Sequence, residues 1–228
     1  MFGDNPIRNQ ELLPTLWVEE VFYTLQGEGP FSGESSVFVR LSGCNLACYF
    51  CDTEFEKSTW TPRLDELEAE IEKLRPDFCD LIVITGGEPF RQDIVPLVER
   101  LLCRGFRVQI ETNGTLWVDL PQSELLHIVC SPKTAVLDEQ LVRRVNSYKY
   151  LLCAGEIDES DGLPAVSSQK RNSKLKLARP TGDAVVFVMP MDLYDEKANA
   201  RNLEVTVESA LKFGYKLTLQ THKLIGVQ

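Results

Sequence analysis

Short apolar runs rich in β-branched residues alternate along the chain with stretches whose apolar positions recur every three or four residues. The first kind predicts strands at 20–24, 36–41, 81–85, 107–111, 127–130, 149–153, 184–189 and 216–220. The second predicts helices at 64–74, 93–104, 138–145 and 203–213. Continuous apolar runs such as Leu81-Ile82-Val83-Ile84 predict strands buried on both faces, hence a parallel sheet under helices. Helices are fewer than strands, so a complete eight-fold barrel does not fit. The expected fold is α/β, an incomplete (βα)6-type partial barrel that is splayed open. In such sheets ligands gather at the carboxyl ends of the strands, and the motifs below are all expected there.

The segment 156–183 breaks the pattern. It is polar, contains Gly162, Pro164 and Pro180, and has no clear period. It reads as a loop inserted into one domain spanning 1–228 rather than as a linker between two cores. Its basic stretch, with Lys170, Arg171, Lys174, Lys176 and Arg179, reads as a solvated face or as a docking patch for an acidic electron donor.

Composition narrows the function. The chain of 228 residues is 43% hydrophobic, enough for one large core. Its 24 basic and 34 acidic residues give a net charge of −10, which opposes attraction to a phosphate backbone. Nucleic acid is therefore not expected as a partner. No apolar run reaches membrane-spanning length, and the opening Met-Phe-Gly-Asp-Asn-Pro resembles neither a signal nor a transit peptide.

Seven cysteines argue against a disulfide framework in a chain of this size. Cys79, Cys103, Cys130 and Cys153 are scattered and read as small buried hydrophobes. Cys44, Cys48 and Cys51 are different, forming a C-x3-C-x2-C cluster. Three thiolates on one short loop suit three irons of a [4Fe–4S] cluster and leave the fourth iron open to bind a small molecule. A zinc knuckle would want a fourth ligand nearby, and the two histidines, His127 and His222, lie far along the chain. Thiols and an oxygen-sensitive cluster both point to a reducing cytoplasm. A second motif, Thr85-Gly86-Gly87-Glu88-Pro89, follows a strand; its glycines are expected to let the backbone approach a ligand closely, the plainer reading being a tight turn.

The cysteine loop and the Gly-Gly-Glu-Pro turn together resemble the radical S-adenosylmethionine (SAM) superfamily. A narrower likeness begins with Phe22-Tyr23-Thr24-Leu25-Gln26-Gly27-Glu28-Gly29 and runs through Arg40-Leu41-Ser42-Gly43 into the cysteines and Cys51-Asp52-Thr53. It continues through Glu111-Thr112-Asn113-Gly114-Thr115, Ser131-Pro132-Lys133, Pro190-Met191-Asp192 and Gln220-Thr221-His222-Lys223. This resembles the 7-carboxy-7-deazaguanine synthase family over nearly the whole chain except 156–183.

The resemblance implies a lyase of queuosine and 7-deazapurine biosynthesis. It contracts the ring of 6-carboxy-5,6,7,8-tetrahydropterin to 7-carboxy-7-deazaguanine with loss of ammonia. The implied cofactors are a [4Fe–4S] cluster on the three cysteines, SAM and Mg2+. SAM would yield a 5′-deoxyadenosyl radical that takes hydrogen from C6 of the pterin and later returns it. A homodimer and a flavodoxin- or ferredoxin-type electron donor are also implied.

Carried over residue by residue, Leu25, Gln26, Gly27 and Glu28 form a substrate loop, with Gln26 and Glu28 suited to the mixed donor and acceptor edge of a pterin. Arg40, a charge ending an apolar strand, suits the substrate carboxylate or serves a salt bridge. Thr85 is a further substrate contact and Thr53 the magnesium ligand. Phe50, Cys51, Asp52 and Gly87 are expected at SAM, with Ser131, Pro132 and Lys133 near its ribose and carboxylate. Met189, Pro190, Met191 and Asp192 are expected beside adenine, with Met189 standing where the family often has Gln. Glu88 accepts from the SAM amino group or braces its turn. Glu111 and Asn113 suit a ribose contact, and His222 touches substrate or caps the sheet. Two rivals remain at this point: a radical SAM enzyme that activates a partner protein, and a non-enzymatic metal module.

Overall fold

The computed structural model describes residues 15–51, 53, 55–169 and 175–227. Eight strands lie in sequential order in one sheet: β1 (Val18–Leu25), β2 (Ser35–Leu41), β3 (Leu81–Gly86), β4 (Arg107–Thr112), β5 (Leu126–Cys130), β6 (Ser147–Leu152), β7 (Val185–Pro190) and β8 (Lys216–Leu217). From β2 onward every pairing is parallel, and β1 runs antiparallel to β2. The helices are α1 (Leu64–Leu74), α2 (Val95–Cys103), α3 (Glu139–Val142), α4 (Glu196–Phe213) and α5 (Thr221–Ile225). Among the described residues strands thus outnumber helices, and no pairing joins β8 to β1. The open sheet is the expected α/β partial barrel.

Period-two alternation divides the sheet into an outer and an inner face. Val37, Val39, Ile82, Ile84, Val108 and Ile110 share one apolar cluster with Leu67 and Ile71 of α1 and Leu97 and Leu101 of α2. The intervening positions of the same strands face inward and carry Phe38, Arg40, Thr85 and Glu111. Residues of β1, β2, β3, β4, β6 and β7, with Ser131 and Lys133 from the turn after β5, line a single cavity of about 700 Å³, so the sheet curls around it.

Three differences from the expected elements have physical causes. Helix α4 starts seven residues before the expected position 203, because its first turns carry no apolar stripe. It is started instead by Asp195, whose carboxylate accepts from the Ala198 N–H at 2.7 Å. Asn202 then anchors it, accepting from the Ala154 N–H at 2.8 Å and donating to the Met191 carbonyl at 2.7 Å. Secondly, β8 is two residues long where a strand was expected over 216–220, and Gln220-Thr221-His222-Lys223 turns into α5 with Gln220 at its cap. The open edge is tied by single contacts: the Gly29 N–H donates to Thr218 Oγ1 at 2.8 Å, and Thr221 Oγ1 donates to the Gly27 carbonyl at 2.9 Å.

The third difference concerns where one motif lies. Because β1 is antiparallel, its last residue, Leu25, pairs with Ser35 at the start of β2. The Leu25–Glu28 turn therefore sits level with the amino ends of the parallel strands, opposite the rim that carries the cysteines. The cavity has a mouth and a floor.

The inserted segment folds back onto the sheet. Its Leu163 and Leu177 join the main apolar cluster. Arg179 ties its ends together, meeting Asp161 at 2.6 Å and the Pro164 carbonyl at 2.7 Å. Lys170, Arg171 and Lys174 of the basic stretch lie outside the described residues.

Candidate active site

The cysteine loop leaves β2 at the mouth of the cavity. All seven cysteines are thiols outside any disulfide, and Cys44, Cys48 and Cys51 line the cavity together. Of the other four, Cys79 and Cys130 are buried, Cys153 is half-buried, and Cys103, expected inside, is exposed at the end of α2. The loop is held from several sides. Arg91 donates to the Cys44 carbonyl at 3.0 Å, and Gln92 donates to the Ser42 and Trp17 carbonyls at 3.0 Å each. Asn45 donates to Thr115 Oγ1 at 2.8 Å and accepts from Asn113 at 3.0 Å, which ties the loop to the turn after β4.

The Gly-Gly-Glu-Pro turn serves the same end. A Cβ on Gly87 would stand 2.2 Å from the Gly43 carbonyl oxygen and 2.8 Å from Cys44 Cβ, and one on Gly86 would stand 2.2 Å from the Leu41 carbonyl oxygen. The close approach that these glycines permit is thus to the cysteine loop itself, and Gly87 also lines the cavity. Glu88 is fully buried and off the cavity wall. Its carboxylate accepts from Thr112 Oγ1 at 2.8 Å, the Asn113 N–H at 2.7 Å and the Phe90 N–H at 3.1 Å. Burial pushes it up to about 7, against those hydrogen bonds. Of its two expected roles, the geometry is that of a brace.

Burial pushes the Cys44 thiol up to about 11 and raises Cys48 as well. In the absence of metal these thiols are protonated at neutral pH, so loading a cluster releases protons. Among the described residues no three His, Cys, Asp or Glu side chains converge as ligands of one ion. A cubane makes no such demand, since each thiolate takes a different iron. Three thiols at the mouth of one cavity fit that group.

On the wall beside the loop, Phe50, Thr53, Ser131, Lys133, Met189 and Asp192 line the cavity. Lys133 donates to the Ser131 carbonyl at 3.0 Å and stands 5.8 Å from the centre of the Phe50 ring. Pro132 and Met191 instead line a small crevice alongside, with Pro190 on neither wall. Tyr49 OH reaches Met191 Sδ at 3.4 Å, so Met191 supports the loop from behind. Asp192 accepts from Lys223 at 3.0 Å and from Asn199 at 2.8 Å. Asp52 lies outside the described residues.

The floor holds the largest group that the sequence reading missed. Lys149, buried in the middle of β6, is ion-paired with Glu28 at 2.6 Å and with Glu111. Burial opposes the Lys149 charge, but Glu111 and Glu28 outweigh it and hold the ammonium above its ordinary pKa. Burial also works against the Glu28 charge, yet Lys149 prevails and keeps that carboxyl below the usual range. Gln26 donates to Glu111 at 3.3 Å, Gln109 donates to Glu111 at 2.7 Å, and Gln220 donates to Glu28 at 2.9 Å. A Cβ on Gly27 would stand 2.0 Å from His222 Nδ1, so only glycine lets the histidine close over the turn. Two carboxylates against one ammonium leave the floor with net negative charge and acceptors facing the cavity. Arg40, on the wall between floor and mouth, meets Glu20 at 2.7 Å and lies 5.6 Å from the Phe22 ring centre. Thr85 and Asn113 line the cavity nearby.

Residues 38–129 match the radical SAM superfamily. The whole chain is 55% identical to the whole of a 7-carboxy-7-deazaguanine synthase of Rhodospirillum rubrum. It is 39% identical to another from Rickettsia prowazekii, across all of this chain and 96% of that one. The chain belongs to the 7-carboxy-7-deazaguanine synthase family. A crystal structure of QueE from Escherichia coli has the same fold, with a TM-score of 0.66 over 90% of this chain and 93% of that one at 24% identity. Membership in a radical SAM synthase family brings a [4Fe–4S] cluster and SAM as cofactors. The three thiols at the mouth and the Glu28–Lys149–Glu111 floor line the same cavity.

Proposed function

We propose that this protein converts 6-carboxy-5,6,7,8-tetrahydropterin to 7-carboxy-7-deazaguanine and ammonia, a step of queuosine and 7-deazapurine biosynthesis. The observation that carries this is the full-length 55% identity to a synthase of that name. One continuous cavity between the three thiols and an acceptor-rich floor supports it. The same identity favours this activity over an enzyme that activates a partner protein and over a non-enzymatic metal module.

When bound and reduced, the cluster and SAM supply the carbon radical that takes hydrogen from C6. The chain's own residues do the rest. Glu28, held in its charged form by Lys149, accepts from the N–H groups of the aminopyrimidinone edge, and the Gln26 amide offers that edge both a donor and an acceptor. Arg40 turns its guanidinium toward the substrate carboxylate while Glu20 fixes its orientation. Thr85 adds a hydroxyl beside the pterin. Phe50, Gly87, Ser131, Lys133 and Met189 enclose SAM. Thr53 would help to hold a Mg2+ ion that would offset the charge of the substrate carboxylate, since such an ion keeps most of its waters and needs few protein ligands. A homodimer, a flavodoxin- or ferredoxin-type donor and a cytoplasmic location belong to it too. Among the described residues no helix is long and apolar enough to cross a membrane.

Anaerobic incubation with reductant, SAM, Mg2+ and the carboxytetrahydropterin should yield a product with the mass of 7-carboxy-7-deazaguanine. No such product from iron-loaded protein would refute the activity. Two variants test individual roles. Thr53→Ala is expected to keep its iron while losing the magnesium dependence of turnover; rates equal to the parent's with and without Mg2+ would remove the ion from Thr53. Arg40→Ala is expected to weaken pterin binding by about 1.5–3 kcal/mol, the range for a hydrogen bond to a charged group. Unchanged binding by calorimetry would leave Arg40 only its ion pair with Glu20.

A further inference from the structure

Gln169 of the inserted segment reaches the cysteine loop. Gln169 donates from Nε2 to Cys48 Sγ at 3.0 Å, and its Oε1 accepts from the Ala47 N–H at 3.2 Å. The second contact decides the first. A backbone N–H only donates, so the amide oxygen must face Ala47, and the NH2 group is left facing the sulfur.

The segment is anchored so that Gln169 has little choice of place. Ser167 is buried, and its hydroxyl donates to the Lys133 carbonyl at 2.5 Å. Its N–H donates to the Leu175 carbonyl at 2.7 Å, and its Oγ accepts from the Gln169 N–H at 3.3 Å. The Ala178 N–H donates to the Thr134 carbonyl at 2.8 Å, fastening the far side of the loop to the turn that carries Lys133. Among the described residues, Cys44 Sγ receives a longer contact from a backbone donor, the Leu46 N–H at 3.4 Å.

We propose that Gln169 is a positioning residue that raises the reduction potential of the cluster by donating a hydrogen bond to the Cys48 thiolate, and that delivering it is a function of the inserted segment. This rests on the assignment of a [4Fe–4S] cluster to Cys44, Cys48 and Cys51. Reduction adds one electron to a cluster whose ligating sulfurs already carry negative charge. An N–H aimed at one of them stabilises the reduced state more than the oxidised one, and hydrogen bonds to the sulfurs are among the determinants of cluster potential. The amide is neutral, so it does this without placing a countercharge beside SAM.

The test compares parent, Gln169→Leu and Gln169→Glu, each reconstituted anaerobically, by iron content and by a potentiometric titration of the reduced-cluster electron paramagnetic resonance signal with dithionite. About four irons per chain are expected in all three. At a fixed poise the reduced-to-oxidised ratio of Gln169→Leu should fall about tenfold, which is about 59 mV for a one-electron couple. Gln169→Glu, which puts an acceptor in place of the donor, should fall at least as far. Equal midpoints at equal iron content would overturn the proposal while leaving the cluster in place. Should only Gln169→Leu fail to load iron, Gln169→Glu carries the comparison; failure of both would make the contact structural and overturn the tuning role. A parent that takes up no iron would overturn the cluster assignment, and the proposal with it.

Discussion

Cys48→Ala is expected to lose both the cluster and every trace of SAM cleavage. The two remaining thiols, Cys44 and Cys51, flank the gap from which the middle ligand is gone, and two thiolates do not hold a cubane that needs three. The loop itself should persist, because most of its fixings are elsewhere. Arg91 on the Cys44 carbonyl, Gln92 on the Ser42 carbonyl and the Asn45–Asn113 pair do not involve the Cys48 side chain. The variant should therefore fold, with a parent-like circular dichroism spectrum, and yet bind little iron and release no 5′-deoxyadenosine under reducing conditions. Iron near four per chain with retained cleavage would show that Cys48 is not a ligand.

The second large effect is expected at a residue without a motif. Lys149→Met removes the cation between Glu28 and Glu111 and leaves two buried carboxylates facing each other. Breaking a buried ion pair from one side typically costs about 3–5 kcal/mol, since the remaining charge is neither paired nor solvated. Urea unfolding of the reconstituted protein should show a loss of that size at neutral pH. Protonating one carboxylate removes the unpaired charge, so the loss should shrink as the pH is lowered. Adding Glu111→Gln to Lys149→Met should recover part of the stability, because it removes one of the stranded charges. A loss under about 1 kcal/mol would mean that the three groups are solvated and that the floor is not the closed polar site described above.

The cofactor end of the molecule was legible in the sequence because its residues are close together in the chain. Three cysteines within eight positions, and two glycines directly after an apolar strand, state their spacing locally. The strands were legible for a similar reason: runs such as Leu81-Ile82-Val83-Ile84 are buried on both faces of the sheet. The substrate end was only half legible. Gln26 and Glu28 stand in a motif, whereas Lys149 and Gln109 are single polar residues inside strands, brought to the floor by the register of the sheet. Their signal is the interruption itself, a lysine between the buried Tyr148 and Tyr150 and a glutamine between Val108 and Ile110. An inward-facing polar residue in an otherwise apolar strand needs a partner, but the sequence alone does not say which.

The reversal of β1 was not legible either. A parallel reading of the sheet put the Leu25–Glu28 turn at the same rim as the cysteines. The antiparallel pairing of Leu25 with Ser35 moves it to the opposite end, which separates substrate floor from cofactor mouth. The seven early residues of α4 were hidden because Asp195 and Asn202 hold that part of the helix through hydrogen bonds, which leave no hydrophobic period.

Turnover of pterin deuterated at C6 tests the central claim most directly, since it asks whether the cavity brings the SAM carbon within reach of that one position. Deuterium recovered in SAM by mass spectrometry, alongside formation of the deazapurine, is the predicted result. Deazapurine formed with no deuterium in SAM or 5′-deoxyadenosine would contradict it.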